Sequence, residues 1–288
     1  MRKMKIKVMF IICSFIFLVS NNSYASEVNY LELINPNDIQ IVKNPKTVED
    51  FEKILFFMAV SGKHEMQIPY EKTVEDSETL SESFIQAFHN ITDKHPEHFD
   101  FISELSWNNS VKKGTYFLTI SINSEDYTPV EIQEKKKMFF NETKKTVDNL
   151  ILNDAITDTM SDYNKAKVIY EWMAINNSYD LDYEKESYTG YGLMFNRTAV
   201  CVGYTATFNL MLKMIGIEDV VGISGHSEEA GHIWTRAKLD GNLFYFDSTW
   251  GDPTPDVDGY CDFEFFAVDK ETLMEAHKSE NIIWEENY

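Results

Sequence analysis

The sequence predicts an α/β (α+β) fold in which a helix bearing a cysteine packs on an antiparallel sheet, with a smaller α+β region before it. Three observations predict this. Apolar residues recur at helical spacing in Phe51/Leu55/Met58 and in Phe84/Phe88/Ile91. Two strand-like runs, Phe101–Trp107 and Tyr116–Ile122, follow them. After Gly216 the chain reads as strands, with Asp240-Gly241 as a two-residue hairpin signal.

At the start of the chain, Arg2, Lys3, Lys5 and Lys7 precede an apolar run, Val8–Val19, and Ser23-Tyr24-Ala25 offers a small-x-small cleavage site before Ser26. That order reads as a secretory signal peptide over residues 1–25. The run falls short of the about 20 apolar residues that span a bilayer; an uncleaved anchor is the competing reading. Cys13 lies inside the run, a poor position for lipid attachment. The expectation is a secreted or cell-envelope protein with no membrane span after signal removal. The formal net charge is −21, and because residues 1–25 hold four basic and no acidic residues, their removal takes it to −25. Such a surface repels a phosphate backbone, which excludes nucleic acid as a partner.

The remaining chain divides by pattern into an N-terminal α+β region, 26–158, and a second region, 159–288, expected to be catalytic. In the first, a helix around Phe51–Met58 precedes another over Glu78–Ile91, ended by His95-Pro96. The two strands come next, with turn-prone Asn108-Asn109-Ser110 and Lys112-Lys113-Gly114 between them. Tyr127-Thr128-Pro129 then opens a long helix reaching about Leu152. His64, His89, His95 and His98 are scattered, and His95 with His98 has no carboxylate or cysteine partner at ligand spacing, so they read as surface or packed histidines. In the second region, a helix from Asp162 buries Ala166, Ile169, Trp172 and Met173 and ends near Asn176. A polar loop, Tyr179–Asn196, leads to a helix over Cys201–Met214, stopped by Gly216. Strands are expected at Val220–Ile223, His232–Leu239, Leu243–Asp247 and Phe263–Val268.

Past residue 25 only Cys201 and Cys261 occur. A disulfide between them is open in an exported protein, yet the surroundings of Cys201 favour a free thiol. It stands at a helix start, where unpaired N–H groups and the positive end of the dipole favour the thiolate, the nucleophilic form. Gly203 removes a side chain where a substrate backbone would approach. Tyr204, Phe208 and Leu212, four apart, would bury the helix. A small buried core cysteine is the alternative.

The hairpin supplies the partners. If Asp240-Gly241 is a two-residue turn, Leu239 faces Asn242 and Asp247 faces Trp234. His232 then lies on the face of Asp247, a diagonal neighbour about 7–8 Å away at the backbone. Ile233, Thr235, Ala237, Leu239, Phe244 and Phe246 form the opposite, core face, leaving the His/Asp pair with Arg236 and Tyr245. A thiol needs an imidazole to take its proton and return it to a leaving amine. The imidazole needs a carboxylate to fix its tautomer. Cys201, His232 and Asp247 are therefore the candidate catalytic residues.

Three segments, Ala199-Val200-Cys201-Val202-Gly203-Tyr204, Gly231-His232-Ile233-Trp234 and Phe246-Asp247-Ser248-Thr249-Trp250-Gly251-Asp252, resemble the three signatures of the transglutaminase-like superfamily. Their Cys–His–Asp order and gaps of 31 and 15 residues match as well. The clear resemblance covers roughly residues 160–270. It implies a papain-like α/β core, with Cys201 as nucleophile, His232 as base and Asp247 as orienting acid, in a family of transglutaminases, peptidases and deglycosylating amidases. Val202 stands where bacterial members often have Gln or Gly, and Thr205 where they often have Ala; neither transfers a proton, so only pocket detail should change.

The Cys201 N–H is expected in the oxyanion hole, with Asn196 and Trp172 as candidates for the second donor. No cofactor or metal is expected. Asp252, Asp256 and Asp258 fail the EF-hand pattern, because Phe265 would occupy the position that requires Glu; they read as a solvated acidic turn. His226, in a Gly-flanked loop, reads as surface. The expected activity is acyl transfer on protein or peptide amides through a Cys201 thioester, resolved by water or by an amine. The reading from another class is a catalytically silent scaffold or binding protein at the cell surface.

Overall fold

The computed structural model describes residues 42, 44–70, 76–228, 231–279 and 282–283. The expected signal peptide, residues 1–25, lies outside the described residues. Among the described residues, one compact unit takes in those up to Ile91 together with Glu104–Asn123; a second takes in Thr92–Ser103 and those from Ser124.

In the first unit, Thr47 and Asp50 form a reciprocal capping box that starts α1 (Val48–Ser61), and Gly62, at φ 66°, ends it. β1 (Glu65–Tyr70), β2 (Glu104–Lys112) and β3 (Thr115–Asn123) form an antiparallel sheet in the order β1-β3-β2. α2 (Asp76–Lys94) brings Phe84 against Phe51 and Trp107, at ring separations of 5.2 and 5.6 Å. β1 was not expected, because Pro69 interrupts its pattern; an edge strand tolerates proline. Asn108-Asn109-Ser110 does not turn. These residues pair with Thr119, Leu118 and Phe117 inside β2, and the chain reverses at Lys113-Gly114, where φ is 51° and 80°.

The second unit runs through α3 (Pro96–Phe99), α4 (Pro129–Leu152), α5 (Asp162–Asn176), β4 (Ser178–Tyr179), a 3₁₀ turn (Lys185–Tyr188), α6 (Gly190–Asn196), β5 (Thr198–Ala199), α7 (Cys201–Met214), β6 (Val220–His226), β7 (Gly231–Leu239), β8 (Asn242–Phe246) and α8 (Lys270–Ser279). β6, β7 and β8 form an antiparallel sheet in that order. α7 packs against β6 and β7 and is surrounded by α3, α4, α5 and α6. All residues from Gly203 to Leu212 are buried, so this helix is enclosed around its whole circumference, with Thr205 and Asn209 hydrogen-bonded to β7. Gly203, Thr205 and Thr207 are weak helix formers. Packing holds the helix instead: burial of a side chain such as Phe208 or Leu212 contributes about 1.5–3 kcal/mol.

The β7–β8 hairpin has the expected register, from Leu239↔Asn242 to Thr235↔Phe246. Asp240 and Gly241 both have positive φ, 50° and 85°, as a type I′ turn demands. The Asp240 carboxylate also accepts the backbone N–H groups of Asp162 and Tyr163, capping α5 from the hairpin tip.

Two expectations need correction. Phe263–Val268 is not a strand; it turns, with Ala267 at φ 54° and a single bridge from Val268 to Tyr245. The sheet face carrying His232 and Asp247, read as opposite to the core face, also carries a packed cluster. Trp234 and Tyr245 are buried there with Ile223 and Leu273, the last contributed by α8, a helix the sequence reading did not anticipate. Among the described residues, no helix is long and apolar enough to cross a membrane.

Candidate active site

Cys201 begins α7 with no side-chain cap, since the preceding residue is Val200. The first backbone N–H groups of the helix therefore lack side-chain acceptors beside the sulfur. Cys201 is partly exposed, and both it and Cys261 are free thiols. Gly203 has a different role from the one expected. A Cβ there would lie 2.7 Å from the Ala199 Cβ and 2.8 Å from the Thr189 carbonyl, so this glycine lets the helix start seat against its own supporting loop rather than against a substrate. β5 hydrogen-bonds to β4, which sets Tyr179 near the sulfur. The Asp180 carboxylate then ties the following loop by accepting from Asp182 N, Glu184 N and Ser187 Oγ.

Asp247, just past β8, is fully buried and held on every side. Its backbone N–H donates to the Phe265 carbonyl at 3.0 Å, and its carbonyl accepts the Tyr170 hydroxyl at 2.7 Å. Gly251 permits this, because a Cβ there would sit 2.5 Å from the Tyr170 ring. Oδ1 accepts the N–H groups of Thr249 and Trp250, both at 3.1 Å. Oδ2 accepts His232 Nε2 at 2.6 Å and His277 Nε2 at 3.1 Å. With Nε2 so engaged, Nδ1 is the His232 nitrogen left for Cys201, which lines the same cleft and whose thiol further favours the imidazolium. Trp250 stacks on His232 at 5.6 Å and 18° between planes.

Burial alone would lower the basicity of His232, but the Asp247 carboxylate, with Cys201, more than reverses this and lifts the imidazolium to about 10. Burial likewise opposes ionisation of Asp247, and His232 and His277 overcome it, holding the carboxyl well below its ordinary range. His277 moves the other way: burial depresses it below the ordinary histidine value despite Asp247. A cleft of about 500 Å³ opens over the sulfur and the imidazole, lined also by Tyr179, Trp250, Phe265 and Ile282.

Among the described residues, His232, Asp247 and His277 offer ligand atoms all within 4.8 Å of one another. Two imidazole nitrogens and a carboxylate oxygen are donors that zinc accepts. Here, however, both Nε2 atoms already point their hydrogens at one oxygen, and the set satisfies itself as a hydrogen-bond network.

The structure thus brings Cys201, His232 and Asp247 together. It does not bring Asn196 or Trp172 to the cleft: Asn196 is exposed and donates to Glu186 at 2.9 Å, and Trp172 carries the Arg197 guanidinium at 5.6 Å. Asp252 is not part of a solvated turn. It is buried, accepts the Tyr204 hydroxyl, and is pushed by burial up to about 7. His95 does have a carboxylate partner, Glu97, at 3.3 Å. His226 is exposed, as expected, and pairs with Ile283. His277 and Tyr179 were missed. The available signal for His277 was Asp269, whose carboxylate caps Thr272 N, followed by Leu273 and His277 four residues apart.

Residues 151–249 match the family model of the transglutaminase-like superfamily. Kyphoscoliosis peptidase from Mus musculus is 23% identical over 158 residues, which are 48% of this chain and 24% of the relative. The chain thus spans about a quarter of that protein's length. Among solved structures, a TGase is 16% identical with a TM-score of 0.33 over 50% of this chain and 44% of that one. A candidate cysteine protease from Cytophaga hutchinsonii is 13% identical with a TM-score of 0.32 over 61% and 74%.

Proposed function

We propose, because residues 151–249 match the transglutaminase-like family model, that this protein is a thiol enzyme performing acyl transfer on protein or peptide amides, with Cys201 as nucleophile, His232 as acid and base, and Asp247 as orienting acid. The observation that carries the reading is the buried Asp247–His232 pair with Cys201 beside it on the wall of one cleft. A ring that keeps its proton at neutral pH is the cationic neighbour that a thiolate requires. In the proposed reaction the Cys201 sulfur adds to the amide carbonyl, and the Cys201 N–H faces the developing oxyanion. His232 passes its Nδ1 proton to the departing nitrogen as the C–N bond breaks, leaving a thioester and a neutral ring. Water or an amine then attacks the thioester, His232 takes its proton, and the C–S bond breaks to return the Cys201 thiolate beside the imidazolium.

The mouse relative's designation as a peptidase supports hydrolysis as the resolving step. The test is incubation with casein and a fluorescent primary amine. New peptide termini that depend on Cys201 indicate a peptidase; Cys201-dependent amine incorporation indicates a transferase. Iodoacetamide labelling of Cys201 no faster than a model thiol would leave the scaffold reading standing. Export is part of the proposal, supported by the basic start, apolar run and Ala25 of the leader. Sequencing the secreted protein should find Ser26 first; a mature chain starting at Met1 would sink it.

A further inference from the structure

An ionised carboxylate offers about four lone-pair positions, and Asp247 fills them with two backbone N–H groups and two imidazoles. The backbone pair and His232 belong to segments already assigned to the reaction. His277 does not: it comes from α8, beyond the 151–249 match. Its ring is wedged against Trp234 and Trp250, at centroid distances of 4.1 and 4.7 Å, and is fully buried. A leucine or phenylalanine would fill this aromatic box without the cost of burying a polar ring.

The proton positions follow from the contacts. Asp247 only accepts, so His277 Nε2 must carry a hydrogen. His277 Nδ1 is buried with no hydrogen-bond partner among the described residues, and a proton there would be an unsatisfied donor on a buried cation. The ring is therefore the neutral Nε2–H tautomer. The titratable groups it faces are Asp247 and His232.

We propose that His277 is a positioning residue for the thiol chemistry, a neutral donor that pins Asp247 Oδ2 against His232 without adding a second positive charge. A carboxylate held at only three points could rotate, carrying the imidazole away from the sulfur. The inference rests on the proposed function, because it assumes that the Cys201–His232 pair reacts.

Two experiments test it. In histidine-labelled native chain at pH 7, ring-nitrogen NMR should show His277 neutral and protonated at Nε2; an imidazolium or an Nδ1–H tautomer would overturn the proposal whether or not any variant folds. Iodoacetamide labelling of Cys201 across pH should then be compared in His277→Phe, which keeps a ring in the box without a donor, and His277→Gln, which restores one. Folded His277→Phe should label about 10-fold more slowly at neutral pH, the cost of a misplaced reacting group, with the acid limb moved upward, and His277→Gln should recover to within about threefold. A fast wild-type thiol with an unchanged His277→Phe profile sinks this inference alone. A slow wild-type thiol sinks the proposed function, and this inference with it.

Discussion

Two buried carboxylates in the second unit, Glu97 and Asp247, each lie between two histidines, yet they are built for different ends. Glu97 is fully buried and takes the Lys213 ammonium at 2.6 Å, with His95 at 3.3 Å and His98 at 3.9 Å. Burial lowers both of those histidines, and Lys213 supplies the permanent charge that keeps Glu97 ionised. Among the described residues, no lysine or arginine pairs with Asp247; its counter-charge is the imidazolium of His232, a group able to give its proton away. Glu97 has no place in the lining of the cleft, whereas the partner of Asp247 faces a cleft and a sulfur. The same residue types make a structural lock when a lysine closes the charge, and a reactive pair when a histidine does.

The comparison breaks most sharply at the sulfur. Cys201→Ala should abolish turnover, by about 10³-fold or more in kcat, measured on whichever casein product the wild type yields. Asp247→Asn keeps the shape but spoils the tautomer, and should lower kcat by roughly 10³-fold; a change under tenfold would mean that the pair is only structural. Glu97→Gln should do the opposite. Removing one partner of a buried pair costs about 3–5 kcal/mol of stability, read by urea unfolding, while iodoacetamide labelling of Cys201 per folded molecule stays within about twofold of wild type.

A pH series sharpens the difference further. The folded-state value of His232 is raised, so its contribution is fully present below the ordinary histidine value of 6.5 and is lost as pH rises toward about 10. The wild type should lose on the order of 5 °C of Tm across that window, and His232→Gln should lose less. The smallest effect is expected at Tyr170→Phe, which removes one hydrogen bond to the Asp247 carbonyl and should cost about 1 kcal/mol.

What could be read in the sequence was local. The Asp240-Gly241 turn demands positive φ at both positions, and from that one requirement the register follows, together with the meeting of His232 and Asp247. The four-residue spacing of Tyr204, Phe208 and Leu212 marked α7 for the same reason. What stayed hidden depended on distant partners. Asn108-Asn109-Ser110 looks like a turn until β3 pairs with it. Asp252 looks solvated until Tyr204, 48 residues earlier, donates to it. His277 looks like one polar residue in a charged tail; its role exists only where α8 crosses the sheet and meets Asp247.

Among the described residues, two tight hairpins have the same local form, at Lys113-Gly114 and at Asp240-Gly241. They differ in what a single inserted residue would do. At the first, an extra residue lengthens a loop whose residues are exposed. At the second, it would also detach the Asp240 carboxylate from the N–H groups that begin α5. A fluorescent tag or affinity peptide spliced into the chain therefore belongs at 113–114. The 240–241 corner is a fixed gauge length between helix and carboxylate.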